Sequence, residues 1–516
     1  MRQNAYTGQS LTVNGLDGDD YFVVSGSSSS FDGLSIYGGD GNDTITLSHS
    51  MSGVTLDGGD GDDVFNVYAG SSVTINGGAG TNIINVSGDS VISGLYVING
   101  TGGTTTLNFS GSSVSANFVT SDDATSGFKL TDVTSINGTS TGDIFIFDST
   151  DNLKSMTIDG SGGTDSLAFT GNKLTLTIGD EGEITYSGDA KFTATNIEHL
   201  IGTASGDSFS LADPAYIKSM TIDGSGGTDS LAFTGNKLTL TIGDEGEITY
   251  SGDAKFTATN IEHLIGTASG DSFSVASFSY IDGITINGNG ASDGSDVLSF
   301  SAATSDLKLN FAVDQTDSTL INLSESGGTN TASIKSINSI VGSSSASNKF
   351  DVGTTTGLSL TGGSDVDEFN IDVASRDSSS AITINSGTES DVINITGVTN
   401  ATKIITSNTN SITFTLSQDK QYLTISGDLD GTHNDCFIFN LENLGSDNNG
   451  DIVNFIHSNS QENPLVSISF EDFATLVNTK ITGDLTSDQD LTLTFTQDST
   501  STYKYTISNV EKKTNG

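Results

Sequence analysis

Two consecutive segments carry the residue types and spacing of an oxygen-rich cation site. They are Gly38-Gly-Asp40-Gly-Asn-Asp43-Thr-Ile-Thr46 and Gly58-Gly-Asp60-Gly-Asp-Asp63-Val-Phe-Asn66. Calcium prefers six to eight oxygen ligands at about 2.3–2.6 Å. Glycine lets the backbone turn its carbonyls towards an ion, and aspartate adds a charged oxygen on a short side chain. The spacing therefore predicts a calcium ion between the turns 38–43 and 58–63.

The segments on either side depart from this pattern at one position each. Gly15-Leu-Asp17-Gly-Asp-Asp20 lacks the second glycine, and Gly77-Gly-Ala-Gly-Thr-Asn82 keeps an oxygen at the sixth position but loses its charge. We expect a second ion between 15–20 and 38–43, and a weaker site between 58–63 and 77–82. The predicted metal-site residues are Gly38, Asp40, Asp43, Gly58, Asp60, Asp63, Asp17, Asp20 and Asn82.

The two complete segments fit the pattern G-G-x-G-x-D-x-U-x, where U is a large apolar residue, and resemble the nonapeptide of the RTX (repeats-in-toxin, haemolysin-type) proteins. The resemblance implies that the glycines form tight turns. It also implies that backbone carbonyls and the sixth-position aspartates of stacked turns hold Ca²⁺ between rungs, while the apolar residue points into a solenoid.

The chain differs from that family in the length of its repeat. RTX arrays repeat every nine residues and carry a metal turn on both edges. Here the Gly/Asp turns alternate with serine-rich stretches such as Ser25–Ser30 and Ser48–Ser52. Calcium is therefore expected along one edge only.

Beyond residue 85 mainly the aspartate of the pattern persists, as at Asp143, Asp165, Asp207, Asp229, Asp271, Asp293, Asp367, Asp391 and Asp451. Serine and threonine often accompany it, as in Gly160-Ser-Gly-Gly-Thr-Asp165. Such side chains also cap turns through hydrogen bonds to the backbone without a metal. Both interpretations stay open, and the metal-free one is favoured for these later turns.

The elements that position these turns are short strands. Apolar and polar residues alternate at Leu11–Val13, Leu34–Ile36, Val54–Leu56 and Val73–Ile75, as in half-buried strands. The turn glycines recur about every 20 residues or twice that, for example at Gly38, Gly58, Gly77 and Gly100. We predict an all-β chain that forms a right-handed parallel β-solenoid (β-roll or β-helix) with rungs of about 20 residues.

A longer duplication divides the chain further. Residues 154–210 and 218–274 are identical. Each copy holds an insert, Leu174–Leu200 in the first, which is either an extra rung or a hairpin. We expect a short-rung, RTX-like β-roll over 1–110 and a solenoid with longer inserted rungs over 111–455. Residues 456–516 would begin a further module, which indicates that the chain is part of a longer protein.

The charge is strongly acidic, with 64 Asp and Glu against 18 Lys and Arg and a formal net charge of −46. Such a surface repels nucleic acid and anionic lipid. The single cysteine, Cys436, excludes an internal disulfide, and no apolar stretch is long enough to span a membrane. We therefore expect neither nucleic-acid binding nor direct membrane insertion.

Catalysis is not expected. The aspartates recur at one place in most rungs, whereas a catalytic site is unique, and there is no Trp to line a sugar cleft. Gly138-Thr-Ser140-Thr-Gly142 matches a nucleophile-elbow pattern, but it leads into a strand-like segment where an elbow needs a helix.

These observations favour a calcium-stabilised repeat region of a large secreted or cell-surface bacterial protein that acts as an adhesin stalk or display scaffold. Calcium ions are the expected partners, and a host or cell-surface receptor or a polysaccharide is the further kind of partner considered. One alternative is a surface-layer or matrix-forming structural protein. The other is a carbohydrate-active β-helix enzyme.

Overall fold

The computed structural model describes residues 10–25, 33–68, 72–87 and 94–372, apart from short gaps at 154, 180–181, 187–190, 213–218, 251–255, 291–294 and 354–357. Beyond residue 372 it describes only strands, and beyond residue 385 only their backbone. The predicted Asp293, Asp391 and Asp451 turn positions lie outside the described residues.

Strands dominate the described chain. The first are Leu11–Asp17 (β1), Tyr21–Val24 (β2), Leu34–Asp40 (β3), Thr44–Leu47 (β4), Ser52–Asp60 (β5), Val64–Tyr68 (β6), Ser72–Ser87 (β7), Leu95–Asn99 (β8), Gly103–Ser110 (β9), Ser115–Phe118 (β10), Gly127–Thr131 (β11), Ser135–Asn137 (β12), Ile144–Phe147 (β13), Met156–Asp159 (β14), Ser166–Phe169 (β15), Thr175–Ile178 (β16), Ile184–Tyr186 (β17), Phe192–Thr195 (β18), His199–Ile201 (β19), Ser208–Leu211 (β20), Met220–Asp223 (β21), Ser230–Phe233 (β22) and Thr239–Ile242 (β23).

The strands that follow are Ile248–Tyr250 (β24), Phe256–Thr259 (β25), His263–Ile265 (β26), Ser272–Val275 (β27), Thr285–Asn287 (β28), Val297–Ser299 (β29), Leu307–Val313 (β30), Leu320–Glu325 (β31), Thr331–Lys335 (β32), Ser339–Val341 (β33), Asn348–Val352 (β34), Ser359–Thr361 (β35), Glu368–Asp372 (β36), Ile382–Asn385 (β37), Val392–Thr396 (β38), Thr402–Ser407 (β39), Ser411–Thr415 (β40), Tyr422–Gly427 (β41), Cys436–Asn440 (β42), Ile452–His457 (β43), Val466–Ser469 (β44), Gln489–Thr496 (β45) and Thr502–Val510 (β46). Short 3₁₀ segments occur at Thr150–Leu153, Asp244–Gly246 and Phe278–Ile281.

The chain divides into two compact units. The first comprises Met1–Gly235 and Glu247–His263, and the second comprises Asn236–Gly246 and Leu264–Gly516. The boundary therefore falls inside the second copy of the duplicated segment. The three-part division expected from sequence composition stays a prediction.

Parallel pairing between successive rungs builds the first unit. Strand β3 pairs in parallel with β5, and β4 pairs in parallel with β6, one rung of about 20 residues along. The second unit uses the same arrangement, since β34 pairs in parallel with β36 and β36 with β38. The predicted all-β parallel β-solenoid is confirmed.

The alternation of the sequence creates the interior of each rung. In β3 and β4 the side chains of Leu34, Ile36, Ile45 and Leu47 are all buried, while the residues between them are more exposed. Successive side chains of a strand point to opposite faces, so one face of each strand packs inside the coil. Burial of each such side chain contributes roughly 1.5–3 kcal/mol relative to exposure.

The insert whose form the sequence left open is a hairpin. Strand β17 runs antiparallel to both β16 and β18. Strands β16 and β18 themselves pair in parallel with β20 and β14. The insert thus adds one reversed strand between two strands that belong to ordinary rungs. In the second unit β30, β31 and β32 repeat this arrangement.

The segment 456–516 holds strands in the second unit that are not parallel. Strand β44 pairs antiparallel with β43, and β45 pairs antiparallel with β46. Whether this segment begins a further module stays a prediction.

Candidate functional site

The Gly/Asp turns of the first unit stack directly on one another. Strand register places Leu16 beside Gly39, Gly39 beside Gly59, and Gly59 beside Gly78. The corresponding positions of four successive turns therefore line up along one edge of the coil. Asp43 and Asp63 belong to adjacent members of this stack, as the sequence predicts.

The sixth-position side chains form a column, which we call the inner column: Asp20, Asp43, Asp63 and Asn82. Asp43 and Asp63 are only 1% exposed, and Asn82 is fully buried. Their Oδ1 atoms accept hydrogen bonds from the rung before. The Asp20 N–H donates to Asp43 (2.7 Å), the Asp43 N–H to Asp63 (2.8 Å), and the Asp63 N–H to Asn82 (3.0 Å). Asp43, Asp63 and Asn82 thus each link two rungs through one side-chain oxygen.

The second carboxylate oxygen of each inner-column aspartate has no protein partner. Oδ2 of Asp20, Asp43 and Asp63 is buried and makes no hydrogen bond. This oxygen lies against the first glycine of its own turn, and a Cβ on Gly38 or Gly58 would overlap it. The glycine at that position therefore gives the carboxylate its space. A buried carboxylate oxygen without a donor is costly unless a cation or a proton accompanies it.

Asn82 shows what surrounds these unpaired oxygens. Its Nδ2 donates a hydrogen bond to the Gly78 carbonyl at 3.2 Å. The strand register makes Gly59 the counterpart of Gly78 in the turn that carries Asp63. Asn82 places an N–H donor against the Gly78 carbonyl, whereas Asp63 would place a second acceptor oxygen against the Gly59 carbonyl. The amide is satisfied without an ion, whereas the aspartate needs a positive group between the two oxygens.

Burial also shifts the ionisation of the inner column. It raises the pKa of Asp63 from 3.8 to about 6, although the Asp43 N–H that bonds to Asp63 opposes the rise and the Asp43 charge adds to it. The pKa of Asp43 is raised for the same first reason, against the hydrogen bond from Asp20. Ion pairs in the described part of the chain involve only Lys129, Lys335 and Lys349. No described lysine therefore neutralises this column.

Two further rows of polar side chains lie outside the inner column. Strand register aligns Asp17, Asp40 and Asp60, all of them exposed. The fifth-position residues Asp19, Asn42 and Asp62 form a second exposed row. There the Asn42 N–H donates to Asp19 at 2.8 Å, and the Asp62 N–H donates to Asn42 at 2.7 Å.

Sequence reasoning missed the fifth-position row because the nonapeptide pattern leaves that position free. The sequence does contain an indication of this row, because three successive turns carry Asp, Asn and Asp at the fifth position, each with an oxygen able to accept a backbone N–H. The row brings acidic side chains to the same edge as the inner column.

The oxygen atoms at this edge suit a hard cation as ligands. Carboxylates and backbone carbonyls are the ligands that calcium prefers, and unpaired buried oxygens mark where its charge is needed. No group of three or more His, Cys, Asp or Glu side chains converges as a metal cluster anywhere in the described chain. An ion at this edge would therefore be held by the Oδ2 atoms of stacked aspartates and completed by backbone carbonyls.

Most later aspartates that the structure describes are satisfied by the chain itself. Oδ2 of Asp143 accepts the Thr139 N–H at 2.5 Å, and its Oδ1 accepts both the Thr139 hydroxyl and the Val114 N–H. Asp207 and Asp271 repeat this arrangement with Thr203 and Thr267. These turns carry the hydrogen-bonded caps that the sequence allowed.

The series of buried sixth-position side chains also continues at two turns that a five-residue spacing from the first glycine does not identify. The buried aspartate after Gly288 is Asp296, whose Oδ1 accepts the Asp271 N–H at 2.9 Å. After Gly342 the position belongs to the buried Asn348, whose Oδ1 accepts the Ser343 N–H at 2.7 Å. Both turns are longer than the five-residue spacing used to find the others.

Comparison with known proteins adds no assignment. No family model matches this chain, and no curated protein matches it at a significant level. Among the described residues, no helix has the length and apolar character needed to cross a bilayer.

Proposed function

We propose that this chain is a calcium-stabilised repeat region of a large secreted or cell-surface bacterial protein, where it serves as an adhesin stalk or display scaffold. The observation that carries the proposal is the inner column, in which three stacked aspartates each bury an oxygen that no protein group satisfies. Calcium supplies two positive charges to that edge. Asp43 and Asp63 hold one ion between their turns, and Asp20 and Asp43 hold another.

The solenoid explains why the ions stabilise the chain along its length. Each turn contacts only its neighbours, so stability is a sum of the rungs and their interfaces. An ion bound between two turns directly stabilises the interface between those two rungs. Without calcium, the stacked carboxylates repel one another and the net charge of −46 weakens the compact state.

The location follows from the same chemistry. Calcium is plentiful outside cells and scarce inside, and weak calcium modules suit the millimolar concentrations found outside. An ion that binds only the folded state stabilises that state, and the stabilisation grows with the logarithm of the free ion concentration. The array would stay loose before export and become rigid outside. A rigid repeat region suits display of a binding domain to a host or cell-surface receptor or a polysaccharide.

Thermal melting of the whole chain, followed by circular dichroism, tests the proposal. We expect the melting temperature to rise with calcium and to fall with a chelator, and equimolar magnesium to have much less effect because it demands tighter octahedral geometry. Spectra and melting that do not change between calcium and chelator would contradict it. Release of products from acidic or neutral polysaccharides would instead favour the enzyme class.

A further inference from the structure

Two later turns have a positive φ at the same two positions as the complete motifs, although their sequence differs. In the turn 160–165, Ser161 has φ 70° and Gly163 has φ 124°. The second and fourth positions of the first complete motif, Gly39 and Gly41, have φ 121° and 133°. A serine with positive φ is uncommon and carries a conformational cost, so the surrounding structure must hold the turn in this form.

That conformation leaves the Asp165 carboxylate incomplete. The Ser161 N–H donates to Asp159 Oδ1 at 2.8 Å, whereas the Thr139 N–H in the turn 138–143 donates to the sixth-position aspartate. Asp165 is 1% exposed, and its Oδ1 accepts the Asp143 N–H at 2.6 Å. Its Oδ2 is buried with no partner. The unpaired oxygen of the inner column thus recurs more than 100 residues later.

The rung that stacks on this turn brings further oxygens to it. Glu198 Oε2 accepts the Asp165 N–H at 2.7 Å. In the inner column the corresponding acceptor is the aspartate of the next turn. Asn196 has φ 54°, and its carbonyl and Asp165 Oδ2 both lie where they would contact a Cβ on Gly160. Burial raises the pKa of Asp165 to about 6, and the charges of Asp143 and Glu198 add to the rise. No described lysine forms an ion pair here.

The second copy of the duplicated segment repeats each of these features. Ser225 has φ 71° and donates its N–H to Asp223, and Oδ2 of the fully buried Asp229 has no partner. Glu262 Oε2 accepts the Asp229 N–H at 2.7 Å, and the Asn260 carbonyl and Asp229 Oδ2 both lie where they would contact a Cβ on Gly224.

We propose that each of these turns, 160–165 and 224–229, binds one divalent cation of the calcium class. The ligands in the first are Asp165 Oδ2, the Asn196 carbonyl and the Glu198 carboxylate. The equivalent groups of Asp229, Asn260 and Glu262 serve in the second. Hard oxygen ligands of this kind select calcium over transition metals. The ligand set draws on an Asn-x-Glu segment that the complete motifs lack, so the sites are separate from the inner column.

Counting bound ions by equilibrium dialysis of the full chain against calcium tests the proposal. The double variant Asp165→Asn/Asp229→Asn keeps the oxygen that caps Asp143 and Asp207, and it supplies an amide donor as Asn82 does. We expect it to bind two ions fewer than the wild-type chain. The matched control Asp123→Asn/Asp151→Asn removes the same charge from two exposed carboxylates and should keep the full number.

Two more double variants make the result specific. Glu198→Gln/Glu262→Gln keeps the acceptor for the Asp165 and Asp229 N–H groups and should weaken binding of the same two ions on the order of tenfold. Asp43→Asn/Asp63→Asn should lose ions from the inner column while these two remain, which separates this proposal from the proposed function.

An unchanged number of ions in Asp165→Asn/Asp229→Asn would overturn the proposal and would leave protons as the partners of these carboxyls. An equal loss in the Asp123→Asn/Asp151→Asn control would also overturn it, since the loss would then follow from the removed charge and not from these two turns.

Discussion

Replacing Asp63 by asparagine should stabilise the metal-free chain at neutral pH and remove much of its response to calcium. Asp63 is 1% exposed, its Oδ2 has no partner, and its Oδ1 caps the Asp43 N–H. Asparagine retains the capping oxygen. Its amide would meet the Gly59 carbonyl as the Asn82 amide meets Gly78. The substitution therefore removes an uncompensated charge without removing the link between rungs.

The size of the effect follows from the ionisation of Asp63. A rise in pKa from 3.8 to about 6 corresponds to at most ~3 kcal/mol of destabilisation when the group is charged. Solvent screening at the turn reduces this to roughly 1–2 kcal/mol. Above pH 6, in a chelator, the variant should gain that amount of stability. In calcium the order should reverse, because the variant lacks a ligand that the wild-type chain keeps.

Hydrogen exchange followed by mass spectrometry measures this locally, which matters because a chain of two units need not unfold in one step. Peptides that span 38–68 should exchange more slowly in the variant than in the wild type in chelator, and faster in calcium. Asp62→Asn is the matched control, since it removes the same charge from an exposed neighbour and should change little. Faster exchange of Asp63→Asn in chelator, or equal protection of both chains by calcium, would refute the reasoning.

Three further perturbations test the same geometry. In chelator the stability of the wild type relative to Asp63→Asn should be greatest below pH 3.8 and should fall as the pH rises to about 6. The reason is that folding favours the protonated form of a group whose folded pKa is raised. Melting temperatures of both chains at several pH values check this, and a relative stability that rises over that range would contradict it. Gly58→Ala places a Cβ against Asp63 Oδ2, so calorimetry should show a loss of about 1–3 kcal/mol together with weaker calcium binding. Gly179→Ala, whose Cβ would have no contact closer than 3.7 Å and whose backbone has no positive φ, should keep its calcium. Unchanged binding in Gly58→Ala would count against the placement of the carboxylate. Leu16 has φ 76° and is 70% exposed, so Leu16→Gly should raise the melting temperature by relieving about 0.5–1 kcal/mol of strain, and a lower melting temperature would show that the side chain has a packing role.

The sequence predicts the rungs and the inner column because both depend on period and residue type. Alternation at Leu34–Ile36 and Val54–Leu56 specifies which side chains face inward, and a spacing of 20 residues then places Asp63 on Asp43. Each aspartate directly precedes a strand and lies two residues before a buried side chain, Ile45 or Phe65, so the same alternation turns it inward. These features need no knowledge of the backbone beyond strand geometry.

The remaining features depend on backbone directions that residue types do not encode. An alternating strand pairs equally well in parallel or antiparallel, so the reversed strand Ile184–Tyr186 was open until the structure showed it. Whether an aspartate oxygen is satisfied depends on where one N–H points. The Thr139 N–H reaches Asp143, whereas the Ser161 N–H turns to Asp159. A positive φ at Ser161 cannot be read from propensity, which disfavours it.

Anomalous diffraction from crystals of the chain grown in calcium and soaked in terbium tests the central claim most directly. We predict a peak between the turns 38–43 and 58–63, with Oδ2 of both Asp43 and Asp63 and backbone carbonyls at about 2.3–2.6 Å. A saturated crystal with no peak along the inner column, and with the Asp63 carboxyl instead hydrogen-bonded to the Gly59 carbonyl, would contradict the account and assign these oxygens to protons.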